Sequence, residues 1–198
     1  GAAVNPSALT ALIAHRELMR KPGSTVIYNL ISSKSVPEIV SENGGKSIRS
    51  RVGHSFIKAL MAETGAIFGG EHSGHFYFAD FWRADSGMLA ALHAIAALGT
   101  SEKTLSQLLA PYARYFASGE INSKVSDSKL TMAGIKESYG SKPGVTTDQL
   151  DGLTVEGDTW WFNVRASNTE PLLRLNVEAK TQSQMQALRD EVLAVIRG

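Results

Sequence analysis

"DTWWFNVRASNTEPLLRLNVEA", Asp158 to Ala179, carries the clearest pattern in the chain. Successive side chains of an extended strand point to opposite faces. In "PLLRLNVEA", Leu173, Leu175, Val177 and Ala179 therefore share one face, while Leu172, Arg174, Asn176 and Glu178 share the other. "DTWWFNVR" reads as the preceding strand, with Trp160 and Trp161 pointing opposite ways, one to a core and one to an edge or interface. Between them, "RASNTEP" (Arg165 to Pro171) reads as the connecting loop. Working outward, "LTVEG" and "EINSKV" are further strands, "SKLTMAGIKESYG" is a helix, and "SKPGVTTDQLDG" is turn-rich. Met185, Leu188, Val192 and Val195 stripe a final helix at helical spacing. This pattern predicts a small α+β domain over residues 115–198, an antiparallel sheet with helices on one face.

Upstream the rhythm differs. Asn5-Pro6 sets a helix start, with Asn as cap and Pro at the first helical position. Leu9, Leu12, Ile13 and Met19 give that helix an apolar face, and "KPG" ends it. "STVIYNLI" is a β-branched strand, "SVPEIVSENGG" a short helix, "KSIRSRV" a strand and "SFIKALMAETG" a helix. "AIFGG" and "HFYFADF" read as strands around a Gly-rich loop, and "DSGMLAALHAIAALG" and "TLSQLLAPYARYF" as helices. Alternating strands and helices predict an α/β domain, a mixed sheet with flanking helices, over residues 1–114.

The 198 residues suit one large domain or two small ones, and 43% hydrophobic with 20% charged is ordinary for a globular chain. A net charge of +1 argues against a broad nucleic-acid footprint. No apolar run approaches the roughly 20 residues that a membrane helix needs. With no cysteine, disulfides and thiolate-bound zinc are excluded. The first residues lack the basic start of a signal peptide, and so abrupt an opening suits a piece of something longer.

Two stretches could carry chemistry. In "GGEHSGHFYF", Gly69 to Phe78, the glycines allow sharp turning and close approach to a ligand. Glu71, Ser73 and His75 alternate, so in extended geometry they point the same way. A carboxylate, a hydroxyl and an imidazole suit a sugar's donating and accepting hydroxyls. A Gly-rich hairpin with exposed polar residues fits the same letters. In "RASNTEP", Arg165 offers a planar fork that matches phosphate, and Ser167, Asn168 and Thr169 add short-armed donors. A polar turn with Asn168 in the left-handed region is the alternative. His54 lies four residues before Lys58 near a helix start; His93 reads as structural and His15 as solvated. No histidine–carboxylate set has the helical spacing of a zinc site.

"GGEHSGHFYFADFWRADSGM" resembles the sugar-recognition loop of the α-D-phosphohexomutase superfamily, and "RASNTEPLLRLNVEA" the phosphate-binding loop of its last domain. "VGHSFIK" and "RYFASGEIN" are similar to stretches of its bacterial phosphomannomutase/phosphoglucomutase branch. The resemblance covers nearly the whole chain and implies the third and fourth of four domains. It implies a cytoplasmic isomerase that passes a phosphoryl group between a phosphoserine and a hexose phosphate through a hexose 1,6-bisphosphate. It implies sugar contacts from Glu71, Ser73, His75 and Lys34, phosphate contacts from Arg165, Ser167, Asn168 and Thr169, and His54 and His75 as catalytic candidates. The family's Ser-His-Asn-Pro nucleophile and Asp-Gly-Asp-Gly-Asp magnesium run do not occur here; none of the aspartates lie two apart. The resemblance thus implies that Mg2+ is bound by missing N-terminal domains of the same chain. This portion alone is then expected to be inactive and to hold no metal or cofactor. A free-standing, non-catalytic phosphosugar-binding module is the alternative, and a nucleic-acid or membrane partner is not expected.

Overall fold

The computed structural model describes residues 3–167 and 170–198. It divides into two units, residues 1–114 and 115–198. The first contains α1 (Pro6–Arg20), β1 (Thr25–Asn29), α2 (Ser35–Glu42), β2 (Lys46–Ser50), α3 (His54–Thr64), β3 (Phe68–Gly70), β4 (Phe76–Phe78), β5 (Ala84–Asp85), α4 (Gly87–Gly99) and α5 (Leu105–Leu109). The sheet order is β2-β1-β3-β4-β5. β1 pairs in parallel with β2 and β3, and β4 and β5 add antiparallel edges.

Alternation along each strand sorts the core into two layers. Val26, Phe68, Phe76 and Phe78 pack on the side of α1 and α4, while Ile27 and Tyr77 pack on Ile57 and Met61 of α3. Two glycines let the helices come this close. A Cβ at Gly69 would lie 2.8 Å from Ile57 Cγ2, and one at Gly70 would collide with Thr10 of α1. The chain leaves β1 toward β2 on one side, while β3 lies on the other. The carboxyl ends of β1 and β3 thus flank the switch point at which open α/β sheets place ligands.

The Asn5 side chain caps α1 by accepting from Ser7 N at 2.8 Å, and Pro6 opens the helix. Met19 lies off the core, 62% exposed. His15 is not simply solvated, since its Nδ1 lies 2.8 Å from the Tyr112 hydroxyl. The helix expected from Asp85 begins at Gly87, because the Ser86 side chain accepts from Leu89 N and caps it there. The last expected helix of this unit stops early: α5 gives way to a 3-10 turn at Ala110–Tyr112, and Phe116 already belongs to a strand.

The second unit contains β6 (Phe116–Lys124), α6 (Ser128–Gly140), β7 (Thr146–Asp148), β8 (Leu153–Glu156), β9 (Trp160–Ala166), β10 (Leu172–Ala179) and α7 (Gln182–Arg197). Its sheet is antiparallel throughout, in the order β6-β10-β9-β8-β7. The Leu173, Leu175, Val177 and Ala179 face packs with Phe162 and Val164 against Ile135 of α6 and Val192 of α7. Trp160 packs at the border of this core; Trp161 lies on the other face, buried, its Nε1 donating to Glu178 Oε1 at 2.9 Å. The register of β10 with β6 shifts between Asn176 and Glu178, beside Gly119 with φ 69°. A bulge of this kind re-aims neighbouring side chains, and here Glu120 follows it. β7 falls in the stretch expected to be turn-rich.

Candidate functional site

A cavity of about 430 Å³ opens at the carboxyl end of the first unit's sheet, lined among others by Gly53, His54, Lys58, Glu71, Ser73, His75 and Asp85. Glu71, Ser73 and His75 do come together, but not by extended alternation. Glu71 N donates to His75 O at 2.9 Å and Gly74 N to Glu71 O at 3.0 Å, with Gly74 at φ 87°. The stretch is a tight turn between β3 and β4. Gly74 takes the left-handed conformation the turn requires.

The turn makes the three side chains unequal. Ser73 and His75 are exposed, whereas Glu71 is 2% exposed with both carboxylate oxygens hydrogen-bonded. Its Oε1 accepts from the Tyr77 hydroxyl at 2.7 Å; its Oε2 accepts from Asn29 Nδ2 and Gly53 N, each at 3.2 Å. Burial, reinforced by Glu71, pushes the Tyr77 phenol far above its ordinary range, so it remains a donor. Asn29 Oδ1 in turn accepts from Ser32 Oγ at 2.8 Å and His72 N at 3.4 Å, and His72 Nδ1 meets Ser7 Oγ at 2.9 Å. Side chains from α1, β1 and β4 and the N-cap of α3 thus fix one carboxylate.

His75 Nδ1 lies 2.6 Å from Asp85 Oδ2, and Asp85 Oδ1 accepts from Phe76 N at 2.9 Å. With Nδ1 donating to Asp85, Nε2 is left as the acceptor, the tautomer a proton-accepting imidazole needs. His54 is the first residue of α3 and lines the same cavity with Lys58. Lys34 sits at the N-cap of α2 and is not among the lining residues. The end of β1 supplies Asn29, buried behind the cavity on Glu71, and not a lysine.

In the second unit, Arg165 belongs to β9 and not to a loop, because its backbone pairs directly with Arg174 of β10. Its side chain is 14% exposed. Nη2 lies 3.4 Å from Glu120 Oε2, and Nη1 lies 3.8 Å from Asp151 Oδ2. Gly152, at φ 74°, leaves no room for a Cβ against Val164 O and Arg165 Cα; its close approach sets Asp151 beside the arginine. Ser167 N donates to Leu172 O at 2.9 Å, closing the strand pair. Asn168 and Thr169 lie outside the described residues. Among the described residues no group of three or more histidines or carboxylates could hold a metal, and no helix is long and apolar enough to cross a membrane.

The family models resolve what this geometry belongs to. Residues 5–115 match the phosphoglucomutase/phosphomannomutase alpha/beta/alpha domain III, and residues 120–195 match the phosphoglucomutase/phosphomannomutase C-terminal domain. The chain belongs to the phosphoglucomutase/phosphomannomutase family. A phosphomannomutase of Methanocaldococcus jannaschii is 43% identical over 188 residues, 95% of this chain and 41% of the relative. One from Escherichia coli is 38% identical over 191 residues, 96% of this chain and 42% of the relative. A solved phosphoglucomutase/phosphomannomutase family protein from Burkholderia thailandensis superposes with a TM-score of 0.85 at 27% identity, over 100% of this chain and 42% of that one. The chain thus spans about two fifths of the length of the curated relatives it matches.

Within this phosphoglucomutase/phosphomannomutase frame, four residues of the site escape a reading of the sequence alone. Asn29, Gly53 and Tyr77 hold Glu71, and Asp85 orients His75. Asp85 enters because β5 pairs with β4, setting Asp85 opposite Tyr77. A two-residue strand leaves no periodic signal.

Proposed function

We propose that this chain is the sugar- and phosphate-recognising portion of an enzyme that interconverts mannose 6-phosphate and mannose 1-phosphate, the glucose phosphates being the alternative pair. The observation that carries the reading is the convergence of Glu71, Ser73, His75, His54 and Lys58 on one cavity. A pyranose presents hydroxyls that both donate and accept. Ser73 can answer either way, and the Glu71 carboxylate has lone pairs beyond those already used. A phosphoserine carried outside these residues gives its phosphoryl group to one hydroxyl of the hexose phosphate. As that O–P bond forms and the serine O–P bond breaks, the hydroxyl proton goes to His75 Nε2, and Asp85 stabilises the resulting imidazolium. His54 is the second proton-transfer candidate. The hexose 1,6-bisphosphate then turns over and returns its other phosphoryl group to the serine. Arg165 and Ser167 hold whichever phosphate is not being transferred, so positioning is this portion's contribution.

The described residues offer no ligand set for magnesium. On this reading the ion and the nucleophile belong to the longer protein, which acts in the cytoplasm. Phosphosugar binding without turnover is the second reading. The two part on whether the serine and aspartate motifs are encoded immediately before Gly1. The direct test uses the 198-residue chain. Mannose 1-phosphate should shift the amide resonances of residues 71–75, while the chain with magnesium and hexose bisphosphate should turn over nothing. Turnover by the chain itself would refute the assignment of the chemistry, and unmoved resonances would refute the sugar site.

A further inference from the structure

The cavity that holds His75 is lined by two carboxylates, Glu71 and Asp85, and by Lys58. Both acids are engaged within the protein. Glu71 accepts from Tyr77, Asn29 and Gly53, and Asp85 meets His75 and Phe76 N. Lys58 is exposed, and its ammonium makes no ion pair or hydrogen bond among the described residues. It stands one helical turn after His54 on α3, a spacing that puts both side chains on one face of the helix. Among the described residues that line the cavity, it alone is positively charged throughout the neutral range, since the other bases are histidines. At about 430 Å³ the cavity falls within the roughly 300–1,000 Å³ usual for small-molecule sites.

We infer that Lys58 is a ligand of the phosphoryl group being transferred, distinct from Arg165 and Ser167, which hold the phosphate that stays. The inference rests on the proposed function and gives this residue its part in it. The sugar hydroxyl that loses its proton to His75 Nε2 is the one that gains an O–P bond as the O–P bond of the phosphoserine breaks. The phosphoryl group therefore arrives on the very oxygen that His75 faces, in the same cavity. A phosphate monoester carries nearly two negative charges at neutral pH, and this one enters a site that already holds two carboxylates. A cation has to offset that repulsion, and among the lining residues the ammonium of Lys58 is the fixed one. Lys58 neither gives nor takes a proton in the step. It places positive charge beside the phosphoryl oxygens, where phosphoryl transfer needs it. The side-chain type suits the task. The planar fork of an arginine fits a phosphate that stays, whereas a flexible stem with three rotatable donors can follow one that moves between oxygens.

The test titrates the 198-residue chain with mannose 1,6-bisphosphate and with mannose 1-phosphate, following amide shifts, with thermal melts as the folding control. The bisphosphate carries the transferred group as well as the phosphate that stays; the monophosphate carries the latter alone. Lys58→Gln should weaken the bisphosphate about tenfold, the scale of one charge-assisted contact. It should leave mannose 1-phosphate within about twofold. Lys58→Arg should recover most of the loss, because the charge returns. Arg165→Ala should weaken both ligands alike. Equal losses for the two ligands in Lys58→Gln would mean that the lysine meets the sugar or the stationary phosphate, and would overturn the inference. So would a bisphosphate affinity that Lys58→Gln leaves unchanged. In either case the proposed function stands as long as mannose 1-phosphate still moves the resonances of residues 71–75. If those resonances never move, that reading fails and the role of Lys58 fails with it.

Discussion

The carboxylate at the heart of the first unit and the guanidinium at the heart of the second are held in opposite ways. Glu71 takes three hydrogen bonds of 2.7 to 3.2 Å from a hydroxyl, an amide and a backbone N–H, all supplied before any ligand arrives. Arg165 is held, among the described residues, by a 3.4 Å contact to Glu120 and a 3.8 Å ion pair to Asp151, with its Nε buried and unpartnered. The lesson lies in which ligand each would meet. A neutral sugar brings weak, directional donors and needs a fixed template. A phosphate brings charge enough to displace a loose partner.

Breaking the tight side should have the largest effect. Asn29→Leu removes the donor to Glu71 and the acceptor for Ser32 and His72, leaving several buried polar groups short of a partner. It should destabilise the first unit by roughly 3–5 kcal/mol, at about 1–3 kcal/mol for each unsatisfied group. Urea unfolding followed by unit-specific resonances measures this; a shift under about 1 kcal/mol would mean that the network is not under tension from burial. Arg165→Ala should leave the melting temperature of the second unit almost unchanged, because the loss of its long ion pairs is offset by relief of the repulsion from Arg174 directly opposite. It should nonetheless cost roughly 2–4 kcal/mol in binding of mannose 1-phosphate. A fall in stability with no fall in affinity would reverse the contrast between the two sites.

Glu71→Gln sharpens the comparison at a smaller scale. The amide brings its own N–H groups to a pocket already filled by donors. Sugar recognition should weaken by roughly 1.5–3 kcal/mol while the affinity for inorganic phosphate holds. Equal losses for both ligands would mean that sugar and phosphate share one site. The smallest effect concerns pH. All five histidines lie in the first unit. Burial lowers the pKa of His93, whose ring stacks on Phe78 at 5.4 Å between centroids, with Glu17 working against the shift. A base with a depressed folded pKa takes up its proton more readily when unfolded. The first unit should therefore lose stability as the pH falls from the ordinary histidine value of about 6.5 through the folded value. The second unit should stay flat over the same range. His93→Gln should remove that slope; a slope that survives belongs to another group.

How much of this the sequence revealed depends on the range of the interaction. The alternation in β10 and the stripe in α7 are local, and both stand as read, except that Val195 is exposed and Ile196 takes the buried place. The grouping of Glu71, Ser73 and His75 was legible, but its cause was not. Period-two reasoning assumes an extended backbone, and Gly74 turns it instead. The cradle around Glu71 and the pairing of Arg165 with Arg174 depend on strand neighbours that are set by tertiary packing, so no spacing announces them. The strand β7 escaped because three residues between turn signals hold no period.

The chain of contacts from Ser7 through His72 and Asn29 to Glu71 also has an entropic side. Ordering a loop residue costs roughly 1–2 kcal/mol of conformational freedom, and this turn loses that freedom when the first unit folds. An arriving ligand then finds a surface that is already still. The amides of Glu71 and Gly74, each bonded within the turn, should accordingly exchange their hydrogens with solvent as slowly as those of neighbouring strands. If it reads a sugar, as proposed, a turn held in this way discriminates by shape and not by closing around its guest.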